Sequence, residues 1–379
     1  MNTAVIESRP ATPVTPDALG ALIQAQLAPH VSAIDLEGVY PEAFLRELGA
    51  LGGFAGAASP AHGGNGQGLA NIIEVMSRVA EECLSTAFAV WCQTACARYL
   101  QLSSNTALQA EWLPALASGR QLGGTGLSNT FKSCSEIERF LLSAKRVEGG
   151  YEINGNLPWV SNLGPDHVFV TGCPVEGDGR LVFFLVRCDQ PGFRLQDGAH
   201  FTALEGTRTF ACQFRGVRID HAQVLAQPDQ SKAYLARIQP GMILAQMGMG
   251  LGLVHDCIRL IESSARTHAH VNQFLDDQPG DLRAALDAAR AETWRLATLA
   301  DAGPTGDEQV ALTTAILRLR LAGGELALRA AQAAMLHQGA RGYLRHATAQ
   351  RRLREAYFVA IVTPSIKHLR HELARRGAL

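Results

Sequence analysis

Residues 69–100 read LANIIEVMSRVAEECLSTAFAVWCQTACARYL, and they contain neither proline nor glycine. Apolar side chains recur along this stretch at helical spacing, which predicts a long helix. A glycine-rich segment at residues 62–68 precedes it, and residues 103–119 predict another helix. We interpret residues 17–120 as an N-terminal helical domain. The Pro/Thr-rich residues 1–16 are expected to form a flexible tail.

The pattern changes to the alternation typical of β-strands between residues 121 and 226. Gly and Asp separate the strand-like runs, at spacings typical of a small β-barrel or sandwich. The runs are residues 151–155, 167–170, 181–186 and 211–219. Helical periodicity returns after residue 227, in segments 242–265, 282–300, 309–337, 347–362 and 364–376. The predicted fold class is α+β, with a middle β domain (121–226) and a C-terminal helical bundle (227–379) after the N-terminal helices.

Composition excludes several classes of function. The 379 residues carry 34 basic and 35 acidic side chains, intermixed, which is not the footprint of a nucleic-acid binder. No Gly-Lys-Ser/Thr occurs, so a P-loop is excluded. The eight cysteines form no C-x-x-C pair, and no metal site is expected. The longest uncharged apolar stretch, residues 242–254, is shorter than the ~20 residues of a membrane helix. With no apolar leader visible at the start, we expect a cytoplasmic protein with reduced thiols.

Five stretches in this helix–β–helix order resemble motifs of the acyl-CoA dehydrogenase flavoprotein superfamily. Together they span nearly the whole chain, and their order is more specific than any one of them. They are HGGNG at residues 62–66, GNLPWVSN at 155–162, LEGTR through VRI at 204–219, the arginine at 266, and GARGY with RRLREA at 339–343 and 351–356.

The resemblance implies FAD as the cofactor, lying between the β domain and the C-terminal helices. It implies that Trp159 packs on the flavin and that Ser161 hydrogen-bonds near flavin N5. Further flavin contacts are implied for Thr125, Leu127 and Ser128, which match the strand holding the pyrimidine edge, and for Ser133 and Ser365.

The resemblance also implies that FAD is shared between copies of the chain. Arg266 would bind the pyrophosphate of a neighbouring subunit, with Gln278 near its adenine end. The glycine loop would approach the neighbour's FAD through Gly339, Ala340 and Gly342. A homo-oligomer, dimer or tetramer, is therefore expected. The nearby arginines 351, 352 and 354 are expected to pair with acidic neighbours at a subunit contact.

The catalytic carboxylate of the superfamily has no counterpart in this chain. By the same matching, Thr363 occupies the position of the usual glutamate, and Pro240 occupies the position used in a second branch. A threonine hydroxyl is not a base at neutral pH unless another base activates it.

Several functions therefore stay open. The chain could be an FAD-dependent oxidoreductase acting on an acyl thioester or a related small molecule, with a relocated base for which Glu205, His337 and Glu355 are candidates. It could resemble the reduced-flavin monooxygenases of the dibenzothiophene type, or the sulfinopropionyl-CoA desulfinases. A catalytically silent flavin-binding protein is the fourth alternative.

Overall fold

Helices dominate the start of the chain. The computed structural model describes residues 12–379, so most of the predicted tail lies outside the described residues. Thr15 caps the first helix, its Oγ1 accepting from the Ala18 amide at 3.2 Å. The helices of this part are α1 (Pro16–Leu22), α2 (Val31–Leu36), α3 (Glu42–Ala50), α4 (Gly68–Glu82), α5 (Leu84–Gln101) and α6 (Thr106–Ala117).

The long helix predicted over residues 69–100 is two helices. Cys83 adopts extended dihedrals (φ −146°, ψ 114°) and separates α4 from α5. The freed amide of Leu84 donates to Glu355 Oε1 at 3.4 Å, a carboxylate 271 residues away. The break therefore depends on a tertiary contact. As a result, α5 is buried in the core on nearly all of its sides.

Two four-stranded sheets form the middle of the chain. One has the order β1-β4-β5-β8 and the other β2-β3-β7-β6. All four predicted strand runs fall on strands, whereas the short first strand and the helix after it were not predicted. The bounds are β1 (Gly123–Thr125), α7 (Ser128–Cys134), β2 (Leu142–Val147), β3 (Gly150–Val160), β4 (Val168–Pro174), β5 (Leu181–Arg187), β6 (Phe193–Asp197), β7 (Phe210–Asp220) and β8 (Val224–Ala226).

The two sheets enclose an apolar core of their own, which contains Ile153, Phe169 and Phe184. Alternate side chains of the longer strands supply it, as the pleat requires. The middle part is therefore a sandwich, as the strand spacing predicted. The predicted domain limits near 120 and 227 stay a prediction; α6 ends at Ala117 and β8 at Ala226.

The C-terminal helices pack as a bundle against the N-terminal ones. They are α8 (Ser231–Ala245), α9 (Met247–Asn272), α10 (Pro279–Asp301), α11 (Gly306–Gln338), α12 (Thr348–Ile361) and α13 (Ile366–Arg375). One continuous apolar core includes α4 and α5 together with α9 and α11. The segment α8–α9 is long and apolar enough for a membrane span, but 89% of its most apolar window is buried inside the chain, as in the core helix of a folded protein.

The arginine cluster at 351–354 ties the two helical parts together within one chain. Arg352 is fully buried and donates to Asp256 Oδ2 at 2.8 Å and Glu355 Oε2 at 2.9 Å. Its guanidinium also donates to the Ala80 carbonyl of α4 at 3.0 Å. Arg354 pairs with Asp35 of α2. Acidic partners were expected at a subunit contact, and the structure places them inside the chain instead.

Candidate functional site

A cavity of about 860 Å³ lies where α5, the β-sheets and the C-terminal helices meet. Its walls are mainly aromatic and aliphatic, with a few hydroxyls and charges, which is the usual make-up of a small-molecule site. The aromatic members are Phe88, Trp91, Tyr99, Phe131, Trp159, Phe201, Tyr357 and Phe358.

Seven of the residues singled out from the sequence line this cavity together. They are Thr125, Leu127, Ser128, Trp159, Ser161, Thr363 and Ser365. Trp159 is 56% exposed at the end of β3, and its ring meets Phe201 edge-on with centroids 6.2 Å apart. A flat face of this indole is therefore open to a ligand.

The hydroxyl of Ser161 belongs to a chain whose direction can be worked out. Thr207 Oγ1 donates to the Leu204 carbonyl at 2.7 Å, which uses its single proton. The 2.8 Å bond between Thr207 and Thr209 must then be donated by Thr209, and the 2.6 Å bond between Thr209 and Ser161 by Ser161. Ser161 Oγ consequently faces the cavity as a hydrogen-bond acceptor.

A second hydroxyl pair joins the β region to the C-terminal helices. Ser128 Oγ lies 2.8 Å from Thr363 Oγ1. The carbonyl of Thr363 accepts from Gln246 Nε2 at 2.8 Å. Ser128 was expected on a strand, but it begins α7, because β1 ends at Thr125. The hydroxyl still reaches the cavity from the helix.

The charged groups of the cavity were not found from the sequence. Lys132, Lys367 and Glu138 line it, so two of the chain's four lysines converge here. Glu138 is the cavity's single carboxylate within residues 12–379; it accepts from Asn129 Nδ2 at 2.7 Å and Lys132 Nζ at 2.8 Å. Nothing in the run Ser-Glu-Ile-Glu at 135–138 distinguishes this glutamate from Glu136, so no sequence signal identified it.

The other predicted residues lie outside the cavity lining. Pro240 is buried within α8, and Ser133 has a buried Oγ without a hydrogen-bond partner. Arg266 is exposed on the C-terminal half of α9. The Gln278 amide donates to the Asn272 and Leu275 carbonyls, at 3.0 and 2.6 Å, after that helix ends. Gly339, Ala340 and Gly342 form the turn after α11.

These last residues share one end of the C-terminal bundle. The His337 carbonyl, just before the turn, accepts from Ser264 Oγ of α9 at 2.6 Å. The structure thus brings all the predicted flavin residues except Ser133 into two groups, one in the cavity and one at this bundle end.

The three alternative base candidates do not line the cavity. Glu205 accepts from the Phe201 amide and lies 3.3 Å from His200. Glu355 is buried in the Arg352 network. His337 Nε2 lies 2.8 Å from the Asp277 carbonyl at the end of α11.

Comparison with known proteins settles the family. Residues 16–120 match the N-terminal domain of acyl-CoA dehydrogenases, and residues 241–377 match their C-terminal domain. The chain belongs to the acyl-CoA dehydrogenase family. Benzylmalonyl-CoA dehydrogenase of Aromatoleum aromaticum is 25% identical over 75% of this chain and 78% of its own length. The human mitochondrial short-chain specific acyl-CoA dehydrogenase is 24% identical over 89% of this chain and 83% of its own.

Solved structures show the same fold. Butyryl-CoA dehydrogenase of Megasphaera elsdenii superposes with a TM-score of 0.83 at 18% identity, over 97% of this chain and 98% of that one. Dibenzothiophene monooxygenase of Paenibacillus sp. A11-2 superposes with a TM-score of 0.81 at 18% identity, over 95% of each chain. The acyl-CoA dehydrogenase-like fold predicted from the sequence is therefore confirmed.

The family consists of FAD-binding flavoproteins, and the cavity fits such a group. The open face of Trp159 suits a flat ring system, since aromatic rings gain by stacking. Ser161 Oγ offers an acceptor and the Ser128–Thr363 pair offers a donor to ring heteroatoms. Within residues 12–379 no three metal-ligating side chains come together.

Proposed function

We propose that this protein binds FAD in the cavity and acts as an oxidoreductase on a small ligand, an acyl thioester or a related compound. The observation that carries this proposal is the convergence of Trp159, Ser161 and Ser128 on one cavity, from β3, the loop after it and α7. Bound FAD supplies the redox chemistry.

The chain's own residues then have distinct roles. Trp159 covers one face of the flavin, and Ser161 offers a hydrogen-bond acceptor that suits the N5–H of the reduced ring, since oxidised N5 carries no proton. Thr125, Leu127, Ser128 and Ser365 hold its edge from the cavity wall. The apolar remainder of the cavity excludes water, which strengthens these polar contacts.

Arg266, Gln278 and the turn Gly339–Gly342 serve a second copy of the chain in this proposal. They lie at the bundle end, outside the cavity lining, so within one chain they do not face the flavin ring. A guanidinium suits a pyrophosphate because its donors form a fork. A dimer or tetramer, in the cytoplasm, is the proposed state.

The reaction does not use a carboxylate at position 363 or 240. Glu138 is the carboxylate that could replace the usual base, because it lines the cavity. However, two donors already occupy its oxygens at 2.7 and 2.8 Å. A ligand whose oxidation needs a strong base would therefore react slowly here.

A reduced-flavin monooxygenase is the second candidate. It is favoured because, among residues 12–379, the cavity lining has no carboxylate free of donors, and this chemistry is initiated by oxygen and not by proton removal from an acyl chain. A desulfinase or a silent flavin protein remains as a further outcome of the test below.

The experiment reconstitutes the purified protein with FAD and follows its visible absorbance without oxygen. Bleaching by an acyl-CoA indicates dehydrogenation. Turnover only with a flavin reductase and oxygen indicates a monooxygenase, and sulfite release without bleaching indicates a desulfinase. A protein that takes up no FAD refutes the proposal.

A further inference from the structure

Arg320 is a buried cation without a carboxylate partner. It lies on α11 with 1% of its surface exposed. Its Nε donates to Gln246 Oε1 at 3.0 Å and its Nη2 to the Val359 carbonyl. Within residues 12–379 no carboxylate forms an ion pair with it, whereas the equally buried Arg352 has two.

This arrangement costs free energy, because a buried charge loses its hydration. Such a charge is normally compensated by an ion pair. Burial lowers the pKa of Arg320 to about 10, so the guanidinium stays protonated at neutral pH. An uncompensated positive charge therefore persists beside the cavity wall.

Gln246 connects this charge to the cavity. The amide accepts from Arg320 through Oε1 and donates through Nε2 to the Thr363 carbonyl at 2.8 Å. Thr363 Oγ1 in turn pairs with Ser128 Oγ in the cavity wall. Only two hydrogen bonds thus separate the guanidinium from the backbone of a cavity residue.

The charged side chains that line the cavity carry a net positive charge, as Arg320 does. Lys132 and Lys367 outnumber Glu138, which pairs with the first of them. In a low-dielectric wall an unpaired charge acts over several ångströms. Negative charge in this cavity would be stabilised, and the Ser128–Thr363 pair is the part of the wall that hydrogen bonds link to Arg320.

We propose that the Ser128–Thr363 pair, backed by Gln246 and Arg320, is a subsite for an anionic atom. Two sources share this chemistry: a carboxylate or enolate oxygen of the ligand, and the pyrimidine edge of FAD when it is reduced. Arg320 is a positioning residue in this scheme, since it acts through Gln246 and Thr363.

The first arm of the test measures ligand binding by calorimetry on the protein as purified. The probes are 3-phenylpropionate and 3-phenylpropionamide, which share a shape and differ in charge. The wild type should prefer the carboxylate by roughly tenfold or more, the size of one charge-assisted hydrogen bond. Arg320→Gln and the double variant Ser128→Ala/Thr363→Val should lose most of this preference, and Arg320→Lys should keep it.

The second arm measures the midpoint potential of bound FAD by anaerobic reduction beside a reference dye. Only this arm rests on the proposed function. If reduced FAD is the anion, Arg320→Gln should lower the reduction equilibrium constant by roughly tenfold, and Arg320→Lys should restore it. A response of the first arm alone assigns the subsite to the ligand, and a response of the second alone assigns it to FAD.

The proposal is overturned if neither arm responds to Arg320→Gln or to the hydroxyl variant. It is also overturned if Lys132→Met/Lys367→Met abolishes the preference while the hydroxyl variant keeps it. An Arg320 variant could misfold, because the side chain is buried. The Ser128→Ala/Thr363→Val variant is the safeguard, because Ser128 and Thr363 lie at the cavity surface. A protein that takes up no FAD refutes the proposed function but leaves the ligand arm intact.

Discussion

Replacing Trp159 with alanine should weaken FAD binding without unfolding the protein. The side chain keeps 56% of its surface exposed, so little of the core depends on it. We expect the free energy of unfolding without FAD to fall by less than ~1 kcal/mol. The same open surface is what a flavin ring would cover.

The size of the effect follows from that exposed area. A tryptophan side chain presents up to ~250 Å², so about 140 Å² is free, and a ring on one face covers roughly half. At ~25 cal/mol per Å² the coverage contributes about 1.7 kcal/mol. A ring–ring term of ~0.5–1.5 kcal/mol brings the total to about 2–3 kcal/mol, which is a ~30–150-fold rise in Kd.

The assay is a titration of the FAD-free protein with FAD, followed by calorimetry or flavin fluorescence. Val310→Ala is the matched control, because Val310 is also 56% exposed but lies on α11 outside the cavity lining. Its Kd for FAD should equal that of the wild type. A change of less than threefold in Trp159→Ala would show that the flavin does not pack on this indole.

Three further predictions concern stability and turnover. Arg352→Met should lower the free energy of unfolding in urea by ~3–5 kcal/mol, because it removes the fully buried guanidinium that two buried carboxylates share. Among residues 12–379, Asp256 would keep only Arg259 as an ion-pair partner, at 3.7 Å, and Glu355 only Arg351, at 3.2 Å. Arg370→Met, which breaks an exposed pair, should cost less than ~1 kcal/mol, and equal losses would contradict this. Glu138→Gln should change turnover by less than ~10-fold, whereas a loss of ~100-fold or more would identify it as a general base. Burial lowers the pKa of His368 in the folded protein, so its stabilising effect is complete above pH ~6.5 and is lost as the pH falls through the folded-state value. Unfolding measured against pH should show a shallower acid decline in His368→Gln, and parallel curves would refute the assignment.

The sequence predicted those elements whose pattern is local. The strand run at 181–186 is apolar and β-branched, and it becomes β5. The Cys83 break has no local signal, since the residue that stabilises it, Glu355, lies 271 positions away. The strand Gly123–Thr125 has no strand-forming side chain except its threonine, and it exists because it pairs in parallel with β4.

The candidate site shows the same division. Trp159 and Ser161 were found because they sit within a motif of eight consecutive residues. Glu138 and Lys367 were not found, because they reach the same cavity only when the segment after α7 packs against α13, as the 2.9 Å contact of Ser135 Oγ with His368 Nε2 shows. Arg320 looked like one more arginine on a helix, and its lack of a counter-ion is visible only after folding.

The junction between Arg352 and α4 has a consequence for how the chain is made. The guanidinium and the Ala80 carbonyl are 272 residues apart. At ~5–20 residues per second a ribosome needs about 15–55 s to synthesise the stretch between them. Until α9 (Met247–Asn272) has been made, the apolar face of α4 lacks a helix that it packs against, and the contact through Arg352 follows later still. The nascent amino-terminal third is thus a natural client for a chaperone, and truncated products of this gene should be degraded and not accumulate.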